Sequence, residues 1–106
     1  MKAKASFSFP LISKTFIDKF RGKIINIHPS LLPNYKGLNT HKRAIEAGEK
    51  FSGCTVHYVT ENLDSGKIIA QEKVSISPDD TPETLSKRVL AIEHIIYPKT
   101  IESLLK

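Results

Sequence analysis

Two hydrophobic periods organise this chain. The run Ile24-Ile25-Asn26-Ile27-His28 is mostly apolar and stops at Pro29, the pattern of a strand buried on both faces, about Lys23–His28. Proline lacks the N–H that a ladder needs, so Asn26 and His28 fall on or just past the strand's carboxyl end. Residues i and i+2 of a strand share a face, so both side chains can point into one place. In open α/β sheets ligands sit beyond the carboxyl ends of strands, which makes this a candidate pocket rim.

A second strand is expected over Cys54–Thr60, with Cys54, Val56 and Tyr58 on one face and Thr55, His57 and Val59 on the other. The polar turn Glu61–Gly66 leads to a third strand, Ile68–Ile76, and the two read as an antiparallel hairpin. The helical period appears three times. Ser13 can cap a short helix, Lys14–Phe20, that buries Phe16, Ile17 and Phe20 and ends at Gly22. After the loop Pro29–Asn39, Asn39 or Thr40 can cap a helix from His41 to Ala47, with Gly48 as its stop. Thr81 caps the last helix, with Pro82 in its first position and Glu83 at the positive end of the dipole. Leu85, Val89, Ile92 and Ile96 form its buried stripe. Pro98 is expected to break or kink it, leaving Ile101, Leu104 and Leu105 as an apolar tail. Together these elements predict one α/β domain over residues 1–106: a mixed, mostly parallel sheet with flanking helices.

Composition narrows the function. In 106 residues, 40% hydrophobic and 25% charged residues are ordinary for a globular protein. The single cysteine, Cys54, excludes an internal disulfide and fits a reducing, cytoplasmic setting. No window approaches the roughly 18 apolar residues of a membrane span, and Met1–Pro10 has no apolar core of a signal peptide. The net charge of +5 is uneven, with ten Lys/Arg against three Asp/Glu in residues 1–50. No aromatic-interleaved basic run accompanies it, so neither nucleic acid nor membrane is an expected partner. His28, His41, His57 and His94 show no close ligand spacing, and the lone cysteine is not in a C-x-x-C, so no metal is expected.

The chemistry that remains is Asn26, His28 and Asp64. An asparagine amide can donate to a developing oxyanion, a histidine can donate or shuttle a proton, and an aspartate can orient and charge that histidine. Spacing alone leaves other readings open. Asp64-Ser65-Gly66 is also what a hairpin turn wants, a lone histidine at a strand end can be structural, and Glu93 reads as a surface carboxylate. There is no G-x-G-x-x-G or Walker loop for a phosphate.

At the level of motifs, Ile25–Pro33, Tyr35-Lys36-Gly37-Leu38, Thr40-His41, Gly53–Val59, Leu63–Gln71, Arg88-Val89 and Glu93–Pro98 resemble the folate-dependent formyltransferases, in order and from about Phe9 onward. The purine-synthesis branch of that family is the nearest in pattern. The resemblance implies the carboxyl half of a Rossmann-like domain. It also implies transfer of a formyl group from 10-formyltetrahydrofolate, as co-substrate, to the amine of glycinamide ribonucleotide. Asn26, His28 and Asp64 would then be catalytic. Phe9, Pro10, Leu11, Ile12, Asn26, Thr60, Glu61, Asn62 and Leu63 would meet the folate. Gly37 and His57 would line the site, and Glu93 would approach the substrate amine.

This chain departs from the family in three places. Pro10-Leu11-Ile12 stands where an arginine-led run is usual, Asn39 stands where histidine is common, and the resemblance covers only the carboxyl half. The first parallel strands and the phosphate-binding turn have no counterpart here. The expectation is therefore an impaired or inactive transferase, a homodimer across an open sheet edge, or a partner supplying the amino-terminal half. The alternatives are a non-catalytic association module, a methionyl-tRNA formyltransferase and a formyltetrahydrofolate deformylase.

Overall fold

A computed structural model of the chain describes residues 24–105. The expected helix Lys14–Phe20 and the segment Phe9–Ile12 lie outside the described residues. In chain order the elements are β1 (Ile25–His28), α1 (Thr40–Glu46), β2 (Phe51–Tyr58), β3 (Ile68–Ser75) and α2 (Pro82–Leu104). The strands form one sheet in the order β1-β2-β3.

The α/β class holds, and so does the β2–β3 hairpin. Both strand pairings are antiparallel, with Asn26 opposite His57, Ile27 opposite Val56 and Thr55 opposite Gln71. The mostly parallel sheet expected from the apolar run is thus not what the described residues form. β1 is buried on both faces for another reason. On one face Ile27 meets Val56, Cys54, Leu85, Val89 and Ile96 in the core. On the other, Asn26, His28, Thr55 and His57 lie buried under loops. The same double burial explains why β2 is covered from Ser52 to His57 rather than alternating between core and solvent.

α2 supplies most of the apolar cover. Its stripe is the expected one, with Leu85, Val89 and Ile96 buried and Ile92 half-buried. Its start is a capping box: the Thr81 hydroxyl accepts from the Thr84 N–H at 3.2 Å, and the Thr84 hydroxyl accepts from the Thr81 N–H at 2.9 Å. Arg88 donates to Asp80 and to the Ser75 carbonyl, both at 2.7 Å, and so ties the helix to the end of β3.

Three local expectations are corrected. Pro98 does not end α2, which runs on through Ile101 to Leu104. One missing N–H forfeits a single ladder bond, and burial of Ile96 and Thr100 on either side keeps the helix in place. Asn39 occupies the cap position of α1 without a side-chain bond, in the left-handed region at φ 56°. β2 begins at Phe51 and ends at Tyr58, earlier than the apolar pattern suggests.

Candidate active site

The site grows from the non-core face of β1 and β2. Asn26 and His28 are two residues apart on β1, and their partners His57 and Thr55 lie opposite on β2. All four side chains are therefore on one face. Thr55 anchors the loop that leaves β1. Its hydroxyl donates to the Ser30 carbonyl at 2.7 Å and accepts from the Leu32 N–H at 3.1 Å. Gln71, opposite on β3, donates to the Thr55 hydroxyl at 2.9 Å and to the Leu32 carbonyl at 2.8 Å.

That loop then folds over His28. The ring Nε2 lies 2.9 Å from the Tyr35 carbonyl oxygen, and because a carbonyl only accepts, Nε2 carries the proton. The other ring nitrogen, Nδ1, faces Asp64 Oδ2 at 3.6 Å. The same carboxylate oxygen accepts the Gly37 N–H at 2.8 Å. Gly37 is in the left-handed region at φ 87°, where a side chain would be strained.

Asp64 reaches the site because the β2–β3 loop closes tightly. A Cβ on Gly66 would collide with the Tyr58 carbonyl, so glycine is needed for close approach. Asp64 itself adopts φ 48°, a conformation that aspartate tolerates better than most residues. The result is a carboxylate only 5% exposed, held by a backbone N–H and set beside two histidines. The second is His57, whose Nε2 lies 3.9 Å from Asp64 Oδ1. Burial pushes the His57 ring below its ordinary value, the Asp64 carboxylate opposes that shift, and a charge on His28 adds to it. Burial and a charge on His28 also lower His41.

The structure therefore brings Asn26, His28, Gly37, His57 and Asp64 to one place. The Asn26 Oδ1, His41 Nδ1 and His57 Nε2 atoms are buried without hydrogen-bond partners. Thr60–Leu63 lead directly into Asp64. There the Thr60 hydroxyl bonds the Asn62 backbone, and the Leu63 side chain is exposed. Glu93 lies apart from this cluster. It is 6% exposed on α2, acts on Cys54 on the core side of β2, and burial raises its carboxyl to about 7. The surface reading of Glu93 is thus overturned: the buried stripe of α2 is wider than its apolar residues.

Sequence reasoning did not single out Thr55, the Tyr35 carbonyl or the Tyr58 carbonyl. Only Thr55 had a signal, its shared face with His57. Among the described residues no group of three or more His, Cys, Asp or Glu side chains is arranged to hold a metal, and no helix is long and apolar enough to cross a membrane.

A strand-end Asn and His facing a loop Asp, on this hairpin and helix, define a class. The formyl transferase family matches residues 5–101, and the chain belongs to that family. It is 50% identical over 92 residues to the phosphoribosylglycinamide formyltransferase of Haemophilus influenzae, covering 87% of this chain and 43% of that one. It is 51% identical over 92 residues to the trifunctional purine biosynthetic protein adenosine-3 of Gallus gallus, covering 87% of this chain and 9% of that one. Among solved structures, the phosphoribosylglycinamide formyltransferase of Brucella melitensis superposes with a TM-score of 0.86 at 50% identity, over 94% of this chain and 50% of that one. The chain spans less than half the length of these curated relatives.

Proposed function

We propose that Asn26, His28 and Asp64 form the reacting centre of a single formyltransferase domain. In this reading it passes a formyl group from 10-formyltetrahydrofolate to the amine of glycinamide ribonucleotide, in cytoplasmic purine biosynthesis and without a metal. The observation that carries the reading is the buried Asp64 carboxylate beside His28 Nδ1 at 3.6 Å, with Asn26 on the same face of β1.

The substrate amine attacks the formyl carbon. A C–N bond forms and charge moves to the formyl oxygen. Asn26 and the His28 Nε2–H donate to that oxygen, which takes the place of the Tyr35 carbonyl as acceptor for His28. Asp64 steadies the imidazolium through Nδ1. The proton leaving the amine travels by way of Asp64 and water to the folate nitrogen as the old C–N bond breaks. Thr60–Leu63 flank Asp64 and would meet the folate, as would Phe9–Ile12. Gly37 supports Asp64 from the opposite loop.

The test is formyl transfer with both substrates at high protein concentration, beside His28→Ala. Turnover that falls by about 10²–10³ in the variant supports the reading. Absence of turnover from the folded chain, alone and when mixed with the amino-terminal half of a phosphoribosylglycinamide formyltransferase, overturns it. Turnover on mixing only would place the phosphate site on a second chain.

A further inference from the structure

We infer that His57 is a positioning residue that keeps Asp64 turned toward His28: its Nε2, buried and without a hydrogen-bond partner, faces the Asp64 oxygen that His28 does not. The inference rests on the reading of His28 and Asp64 as the reacting pair. It moves His57 from lining the substrate to acting through the carboxylate.

Two observations separate His57 from direct contact with substrate. Its side chain is 1% exposed. Its Nδ1 lies 2.9 Å from the Tyr58 carbonyl, and that acceptor places the neutral ring's proton on Nδ1. Nε2 therefore presents a lone pair to Asp64 Oδ1. A lone pair and a carboxylate oxygen repel, so the neutral ring leaves the carboxylate to its other partners, the Gly37 N–H and, when His28 carries both ring protons, His28 Nδ1–H.

A proton on His57 reverses this. Nε2 becomes a donor aimed at Oδ1, and Asp64 is drawn away from His28 toward the His57 ring. The groups that act on His57 are the Tyr58 carbonyl on its own strand, Asp64 from the β2–β3 loop and His28 from β1. On α1, His41 faces His28. Glu93 of α2 acts on Cys54, on the other side of β2. Burial lowers the His57 ring and a charge on His28 would add to that, while the bond to the Tyr58 carbonyl and the Asp64 carboxylate work against them. A proton on His57 enters against any charge already on His28.

The test is a pH titration of the histidine rings in the full chain by long-range proton–nitrogen NMR. His57 is expected in the Nδ1–H form at neutral pH. Asp64→Asn should lower its midpoint by about half a pH unit or more, and His28→Gln should raise it by a similar amount. An Nε2–H form, or a midpoint that moves with neither variant, overturns the inference. His57→Gln supplies the kinetic arm, because its amide places a permanent donor opposite Asp64 Oδ1. Its kcat should fall about tenfold at unchanged KM, and the acidic limb of the pH profile should disappear. A wild-type profile retained in His57→Gln overturns the positioning role. A chain without turnover sinks the formyl-transfer reading, and the titration still decides whether His57 and His28 share Asp64.

Discussion

His28 and Asp64 are separated in the chain by a loop, α1 and all of β2, yet His28 Nδ1 lies 3.6 Å from Asp64 Oδ2. One segment holds both. The Tyr35 carbonyl accepts the hydrogen bond of His28 Nε2–H, and two residues later the Gly37 N–H donates to Asp64. The loop after β1 is thus a clamp across the pair, fixed at its root by Thr55. Gly37→Ala tests the clamp. A Cβ there would meet nothing nearer than Leu63 Cδ2 at 3.9 Å, so the penalty comes from φ 87° and not from space. The expected loss is about 1 kcal/mol in urea unfolding. NMR should also show the coupling between the His28 and Asp64 side chains loosened.

The opposite kind of glycine sits at 66. Its Cβ would run into the Tyr58 carbonyl, which is also the acceptor for His57 Nδ1. Backbone cannot yield as a flexible side chain can. Gly66→Ala should therefore cost about 3 kcal/mol, more than Gly37→Ala. It should also displace Asp64, visible as a changed His57 ring signal. Equal losses in the two variants would contradict this account.

Thr55→Val keeps the shape of the side chain and deletes its oxygen. It strands the Leu32 N–H, which loses its acceptor, and removes one of the two acceptors of Gln71 Nε2. Leaving a buried donor unpaired costs about 1–3 kcal/mol, so unfolding midpoints should fall accordingly. Because the lost bonds root the loop that bears Tyr35, the His28 ring should become mobile in the same variant. A stable variant with an unchanged His28 signal would remove Thr55 from the clamp.

These elements differ in how far the residue pattern foretells them. The hairpin, the α2 stripe and the Thr81 cap follow from local periods and cap chemistry; the stripe and the cap stand where expected, and the hairpin forms with β2 shifted toward its amino end. An apolar run such as Ile24–His28 reports burial on two faces and not the direction of the neighbour, and among the described residues that neighbour is antiparallel. Here the second cover is polar and made of loops. Pro98 misleads because a helix with buried residues on both sides of the proline outweighs one lost bond. Asn26, His28 and Asp64 were legible as a constellation only through their motifs. Their meeting depends on the Tyr35 and Tyr58 carbonyls, and main-chain acceptors leave no mark on residue identity. Glu93 is buried among the apolar residues of α2, and a carboxylate in that stripe looks like an exposed position to any reading by polarity.

Cys54 offers a check on the core itself. It is fully buried between β2 and α2, and burial pushes its thiol to about 12. Thiolate is the reactive form, so the folded chain should react with a disulfide reagent only as fast as it opens. The rate should rise to that of a free thiol in denaturant. Rapid labelling of the native chain would mean that α2 does not seal this face.

Glu93 makes stability depend on pH, and the direction follows from its burial. Its carboxyl moves from 4.5 to about 7 in the fold, so the folded chain binds a proton that the unfolded chain releases. The folded state's advantage is complete below 4.5. It is lost as pH climbs toward about 7, and above that the carboxylate is ionised in both states. The shift corresponds to about 3 kcal/mol between the two limits. Unfolding in urea at a series of pH values from about 4 to 9 should show the wild-type chain weakening as the pH rises from 4.5 to about 7. Glu93→Gln cannot ionise, so its curve should lack that fall and lie above the wild type at alkaline pH. A wild-type curve as flat as the variant's would mean that Glu93 meets solvent or a cation in solution, and its place inside the α2 stripe would have to be abandoned.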